Sequence, residues 1–155
     1  MITRMLGIAV FLALPGWAMA ADATAPETVP APQPETLSAE SGEVTLEQFL
    51  WIKRPIVVFA DSPADPRFVE QMRYLAADAP GLELRDVVVL TDTDPAGKSA
   101  LRKDLRPRGF MLALIDKDGQ VKLRKPAPWT VREITRSIDK WPTRQQEIRE
   151  ELGKE

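Results

Sequence analysis

The stretch Arg54-Pro55-Ile56-Val57-Val58-Phe59-Ala60-Asp61-Ser62-Pro63-Ala64-Asp65-Pro66-Arg67-Phe68-Val69 decides the fold. Ile56 to Ala60 is an unbroken apolar run between a proline and a polar turn, as expected of a strand buried on both faces. Such a strand needs cover on each side, which calls for helices above and below a sheet. A helix start follows at once. Asp65 is a good cap, Pro66 fits a first helical position, and Phe68, Val69, Met72, Leu75 and Ala76 recur at helical spacing up to Pro80-Gly81.

Working forward, Leu84 to Leu90 reads as a second strand around Val87-Val88-Val89-Leu90. Asp94-Pro95-Ala96-Gly97 opens a shorter, more charged helix carrying Leu101 and Leu105, which Pro107 and Gly109 end. Phe110 to Ile115 is a third apolar strand, Asp116-Lys117-Asp118-Gly119 a turn, and Gln120 to Lys125 a fourth strand whose Lys122 and Arg124 alternate with Val121 and Leu123. One wet, charged face suits a sheet edge. Thr130 caps a last helix with Val131, Ile134, Ile138 and Trp141 on one face, closed by Pro142. Working backward, Thr45 with Gln48 forms a capping-box signature for a short helix to about Ile52, stopped by Pro55. The order is a short helix followed by β-α-β-α-β-β-α. It predicts an α/β domain over residues 44–142 with a mixed four-stranded sheet covered on both faces. Residues 143–155 form a charged helical tail, either solvated or burying Ile148 and Leu152.

The amino end is of another kind. Fifteen of the first 20 residues are apolar, Arg4 supplies a positive start, and Ala18-Met19-Ala20 is a small-x-small cleavage site, so residues 1–20 read as a secretory signal cut after Ala20. The apolar stretch is broken by Pro15-Gly16 and is short of the roughly 20 residues that span a bilayer. Residues 21–43, with Pro26, Pro30, Pro32 and Pro34 and few large apolar side chains, read as a disordered Pro/Ala/Glu-rich linker. The location implied is periplasmic or secreted, with no stable membrane span after cleavage.

Composition limits the chemistry. The 155 residues include no cysteine and no histidine. Disulfides, thiol redox steps, Cys/His zinc sites and histidine-activated serine or cysteine nucleophiles are therefore excluded. Without Arg4 the chain carries 20 basic and 23 acidic side chains, spread along its length, which is no nucleic-acid footprint.

The element order from Val44 to about Trp141 resembles the thioredoxin fold, a three-layer α/β/α sandwich. At the level of residues the chain resembles a bacterial group of short exported proteins, the domain-of-unknown-function family 4174. The matching pieces are Trp51 with Arg54-Pro55, Asp65-Pro66-Arg67, Arg85-Asp86-Val87, Lys117-Asp118-Gly119 with Lys122-Leu123, and Ile138-Asp139 with Pro142 and Arg144. That resemblance implies a fold and a location, and no activity. Working thioredoxins carry Cys-x-x-Cys between the first strand and the next helix, where the helix N-terminus lowers a thiol pKa. Here the stretch is Asp61-Ser62-Pro63-Ala64-Asp65-Pro66. The fold also places a cis-proline before its third strand, and Pro107 in Pro107-Arg108-Gly109-Phe110 falls early for that role.

Two functions from different classes remain. The first is a non-catalytic protein- or peptide-binding module with an exported or periplasmic partner, using exposed Trp129 and Trp141 with Arg144. The second is a thiol-independent small-ligand binder or enzyme in which Ser62 and Arg67 hold an anion at the helix N-terminus, against the repulsion of Asp61 and Asp65. A pocket over Ser62 with Arg67 pointing in favours the second; a flat surface with an exposed tryptophan favours the first. Helix capping by the aspartates and core packing of the tryptophans are the plainer alternatives for the same residues. Asp92-Thr93-Asp94 and Asp116-Lys117-Asp118-Gly119 have the i, i+2 carboxylates of calcium loops without the remaining ligands, so a cap and a hairpin turn account for them. No metal and no cofactor is implied.

Overall fold

The computed structural model describes residues 32–39 and 44–154. The stretch expected to be a signal, with its expected cleavage site, and most of the expected linker lie outside the described residues. Ala31–Glu155 forms one compact unit.

The β2 strand, Arg54–Phe59, is buried at every position, as an unbroken apolar run demands. It lies at the centre of a sheet whose other members are β1 (Thr36–Ser38), β3 (Val87–Asp92), β4 (Met111–Ile115) and β5 (Val121–Lys125), in the order β1-β3-β2-β4-β5. The β1–β3 and β3–β2 pairs are parallel, and β2–β4 and β4–β5 antiparallel. Strand side chains alternate between faces, so each strand feeds two cores. Ile56, Val58, Val87, Val89, Leu112 and Leu114 face α1 (Pro66–Ala77), α2 (Ala79–Glu83) and α4 (Val131–Ile138), packing with Leu75, Leu82, Ile134, Ile138 and Trp141. Val57, Phe59, Val88, Leu90, Ala113 and Ile115 face α3 (Ala100–Leu105), packing with Leu101 and Leu105. The three layers expected from the sequence are therefore present. A final helix, α5, runs over Pro142–Leu152.

Four expectations need correction. The sheet has five strands, because Thr36–Ser38 of the stretch read as linker pairs with the free edge of β3. Three residues joined through backbone alone leave no side-chain period to read. The expected helix after Thr45 is one 3-10 turn, Leu46–Phe49, and Thr45 makes no side-chain capping bond. One turn fixes several dihedrals for few hydrogen bonds, and the chain turns away towards β2. Pro80 does not stop α1; Asp78 ends it and caps α2, with Pro80 in its first turn. That helix absorbs Glu83, leaves Leu84 exposed, and delays the second strand to Val87. Asp94 caps only the turn Pro95–Gly97, and Ser99 caps α3.

Candidate binding surface

The end of β2 and the start of α1 place Asp61 to Arg67 where a thioredoxin carries its thiols. The loop is closed on itself. Ser62 Oγ accepts from Ala64 N–H at 3.1 Å, and Ser62 C=O accepts from Asp65 N–H at 3.1 Å. Asp65 caps α1 by accepting from Arg67 N–H at 2.8 Å, and also takes Arg67 Nε at 3.3 Å and Nη2 at 3.1 Å. Those bonds from Arg67 hold the Asp65 carboxyl below its ordinary pKa. Arg67, half exposed, lies over the Phe110 ring at 5.4 Å rather than over Ser62. The Ala64, Asp65 and Arg67 amides and two of the guanidinium nitrogens of Arg67 are thus spent within the loop. Asp61 is exposed and faces the loop before β4, where a Cβ on Gly109 would stand 3.8 Å from its Oδ2. Gly109 has φ +63°, no described peptide bond is cis, and Pro107 does not occupy this place.

Beside Phe110 opens a cleft of about 250 Å³. Phe110, Met111 and Pro126 give it an apolar floor; Arg106, Arg108, Arg124 and Lys125 rim it. The elements put them there for separate reasons. Arg106 is the left-handed C-cap of α3, its N–H donating to Arg102 C=O. Arg124 leaves the edge strand β5 and donates from Nη1 to Leu105 C=O at 2.6 Å, satisfying the end of α3. Lys125 Nζ sits over the Trp129 ring at 4.4 Å, within cation–π range. Trp129 is half-buried and fixed by its backbone: Gln71, wholly buried in α1, donates to Trp129 C=O at 2.9 Å and accepts from Trp129 N–H at 2.8 Å. Sequence reasoning missed Gln71, although a glutamine between Phe68 and Met72 on an apolar stripe is itself a signal. It also missed the rim, because the four cations come from one loop and one strand that are distant in sequence.

The other predicted surface residues lie at the opposite end of the sheet. Trp141 is only 8% exposed and packs in the core, and Arg144 is buried on α5, so neither faces a partner. Around Arg144 runs an ion-pair network centred on Arg54, which is wholly buried at the start of β2. Arg54 Nε donates to Asp116 at 3.1 Å, Nη1 to Arg85 C=O at 3.0 Å, and Nη1 and Nη2 to Glu147 at 3.1 and 2.9 Å. Lys117 Nζ bridges Asp86 at 2.7 Å and Glu147 at 3.0 Å, and Thr143 Oγ1 donates to Asp116 at 2.7 Å. Arg85 grips Asp139 with two bonds of 2.7 and 2.8 Å, which raise the arginine's pKa and lower the aspartate's. Burial works to raise the Glu147 pKa, but hydrogen bonds from Arg54, Lys117 and Arg144 outweigh it and lower the pKa from 4.5 to about 2. Residues from four of the five pieces that carry the family resemblance meet here, in a structural clamp that fastens α5 to the sheet. The calcium-like pairs are absorbed too: Asp92 binds Arg102 and Ser99, and Asp118 binds Gln120 N–H and Lys122. No group of three or more acidic residues able to hold a metal ion occurs among the described residues.

Residues 45–147 match a family described as a domain of unknown function, DUF4174. Among solved structures the fold is similar to reduced 2-Cys peroxiredoxin of Plasmodium vivax, at 18% identity and TM-score 0.52, over 62% of this chain and 81% of that one. It is similar also to a chloroplastic thioredoxin z, at 23% identity and TM-score 0.52, over 68% of this chain and 91% of that one. At these identities the likeness shows a thioredoxin-like fold.

Proposed function

The chain belongs to the DUF4174 family, and we propose that it works as an exported, non-catalytic protein- or peptide-binding module on a thioredoxin-like scaffold that has no thiols. The observation that carries the reading is the loop from Asp61 to Arg67. The Ala64, Asp65 and Arg67 amides and the Arg67 guanidinium are taken up in capping and pairing, so the place of the thiols meets an anion with a closed loop and the exposed Asp61 carboxylate beside it. What this end of the molecule offers instead is the cleft beside Phe110, with Trp129 held on its flank. Export rests on the signal-like segment before Ala20; no helix among the described residues is long and apolar enough to cross a membrane. The small-ligand alternative needs Arg67 turned towards Ser62, and Arg67 is paired with Asp65.

Affinity capture from a periplasmic extract tests the reading. The full chain retains a defined protein, Trp129→Ala loses it, and Ser62→Ala keeps it. Loss with Ser62→Ala and not with Trp129→Ala moves the working surface to the loop and overturns the assignment.

A further inference from the structure

We infer that the cleft beside Phe110 takes an extended acidic segment of another protein, with one apolar side chain on the floor and carboxylates on Arg106, Arg108, Arg124 and Lys125. The inference deepens the binding reading above and rests on it. It comes from a contrast in charge pairing. The chain is acidic overall, with formal net charge −2, and every arginine from Arg54 to Arg102 has a carboxylate within 4 Å. Among the described residues no carboxylate lies within 4 Å of Arg106, Arg108, Arg124 or Lys125. Arg132, Arg136 and Arg149 are unpaired as well, and what sets the cleft apart is that four such cations share one rim, where like charges repel one another. Glu133, whose carboxylate feels Lys125, is held by Thr130 in the capping box of α4. Two acids flank this end: Asp65 is paired with Arg67, and Asp61 faces Gly109 on the loop that carries Arg108 without coming within 4 Å of that arginine.

Two of the cations are also held in place before any partner arrives. Arg124 is fixed by Leu105 C=O, and Lys125 by the Trp129 ring, itself anchored by Gln71. Arg106 has its backbone fixed as the left-handed C-cap of α3, at φ +48°, which sets where its side chain starts. Preorganised donors lose less entropy on binding than free ones. The size of the cleft selects among anions. At about 250 Å³ it falls below the roughly 300–1,000 Å³ of small-molecule sites, and its floor is apolar, so it suits a side chain or two of a peptide. Beside it β5, among the described residues, pairs only with β4 and ends the sheet, so an extended segment has an open strand edge to follow.

The test uses fluorescence anisotropy with the full chain and three labelled probes: a ten-residue peptide of aspartate and glutamate around one leucine, the same peptide with asparagine and glutamine, and a single-stranded oligonucleotide of ten bases. The acidic peptide is expected to bind at least about 10-fold more tightly than its neutral twin, and to weaken about 10-fold between 50 and 300 mM salt as the charges are screened. Arg108→Gln is the clean variant, because its side chain is exposed and holds nothing in place; it weakens the acidic peptide about 5-fold. The fourfold glutamine variant, checked for an unchanged circular dichroism spectrum, removes binding, while Lys103→Gln leaves it intact. Equal affinity for the two peptides with loss in Trp129→Ala overturns acid selectivity and leaves the binding module standing. Binding of the oligonucleotide at least as tightly as the acidic peptide overturns the choice of a protein segment. No binding of any probe below about 1 mM overturns the inference, and an empty capture experiment alongside it takes the module with it.

Discussion

Replacing Glu147 by glutamine removes one of the two carboxylates that neutralise Arg54, keeps the shape of the side chain, and isolates its charge. Arg54 is wholly buried and Asp116 with it, whereas the Glu147 side chain is 23% exposed. Lowering a carboxyl from 4.5 to about 2 corresponds to roughly 3 kcal/mol of stability, or about 2 kcal/mol after discounting for the part left in water. The folded-state pKa lies below the unfolded one, so this contribution is complete above pH 4.5 and disappears as the pH falls through about 2; near pH 3 about 40% of it is left. Urea unfolding of parent and Glu147→Gln at pH 7, 5 and 3 is the assay. The expected gap is about 2 kcal/mol at pH 7 and 5, close to a 10 °C fall in Tm for a domain of this size, and less than half of that at pH 3. A gap that is the same at pH 3 and pH 7, or below about 0.5 kcal/mol at pH 7, refutes the clamp as an electrostatic device.

Three further outcomes follow from packing and backbone. Trp141→Ala empties a core position and is expected to cost about 3–5 kcal/mol, read from the urea midpoint. Trp51 is 71% exposed at φ +61°, so Trp51→Gly relieves left-handed strain and raises stability by about 0.5–1 kcal/mol, whereas Trp51→Ala, which keeps a Cβ, gives no gain; equal effects of the two contradict the strain. Gln71→Ala leaves the Trp129 N–H and C=O without their partner and is expected to cost about 1–3 kcal/mol, with faster amide exchange at Trp129 and Thr130 and none of that change in β2.

Apolar periodicity made the layers legible. Ile56 to Ala60, Val87 to Leu90 and Met111 to Ile115 could only be strands covered on both sides, and the sheet and its two cores follow from them. Prolines were harder to interpret. Pro66 was read as a helix start, but Pro80 and Pro142 were read as stops, and both stand in the first turn of the next helix. The difference lies in the residue ahead: an aspartate marks Pro66 and, two positions back, Pro80, while Trp141 gives Pro142 no such sign. The tail reads as a solvated helix, with burial of Ile148 and Leu152 as the alternative, yet Thr143, Arg144 and Glu147 dock it, and Leu152 stays exposed. A helix face that binds through charge leaves no apolar stripe. Its partner Arg54 lies 93 residues from Glu147 along the chain, beyond the reach of any local pattern. The cleft was hidden for the same reason. Arg124 reads with Lys122 as the charged face of an edge strand and Arg108 as part of the loop after Pro107, and only the docking of α3 against β5 brings them, with Arg106 and Lys125, onto one rim.

The most direct measurement of where this molecule works is amide chemical-shift mapping of the isotope-labelled chain during titration with the acidic peptide. Shifts that saturate together at Arg106 to Met111 and at Arg124 to Thr130, with the loop from Asp61 to Ala64 unmoved, are expected. Shifts gathered instead at Trp51 and along Thr143 to Glu150, or none at the rim when the peptide is bound, contradict the cleft as the working surface.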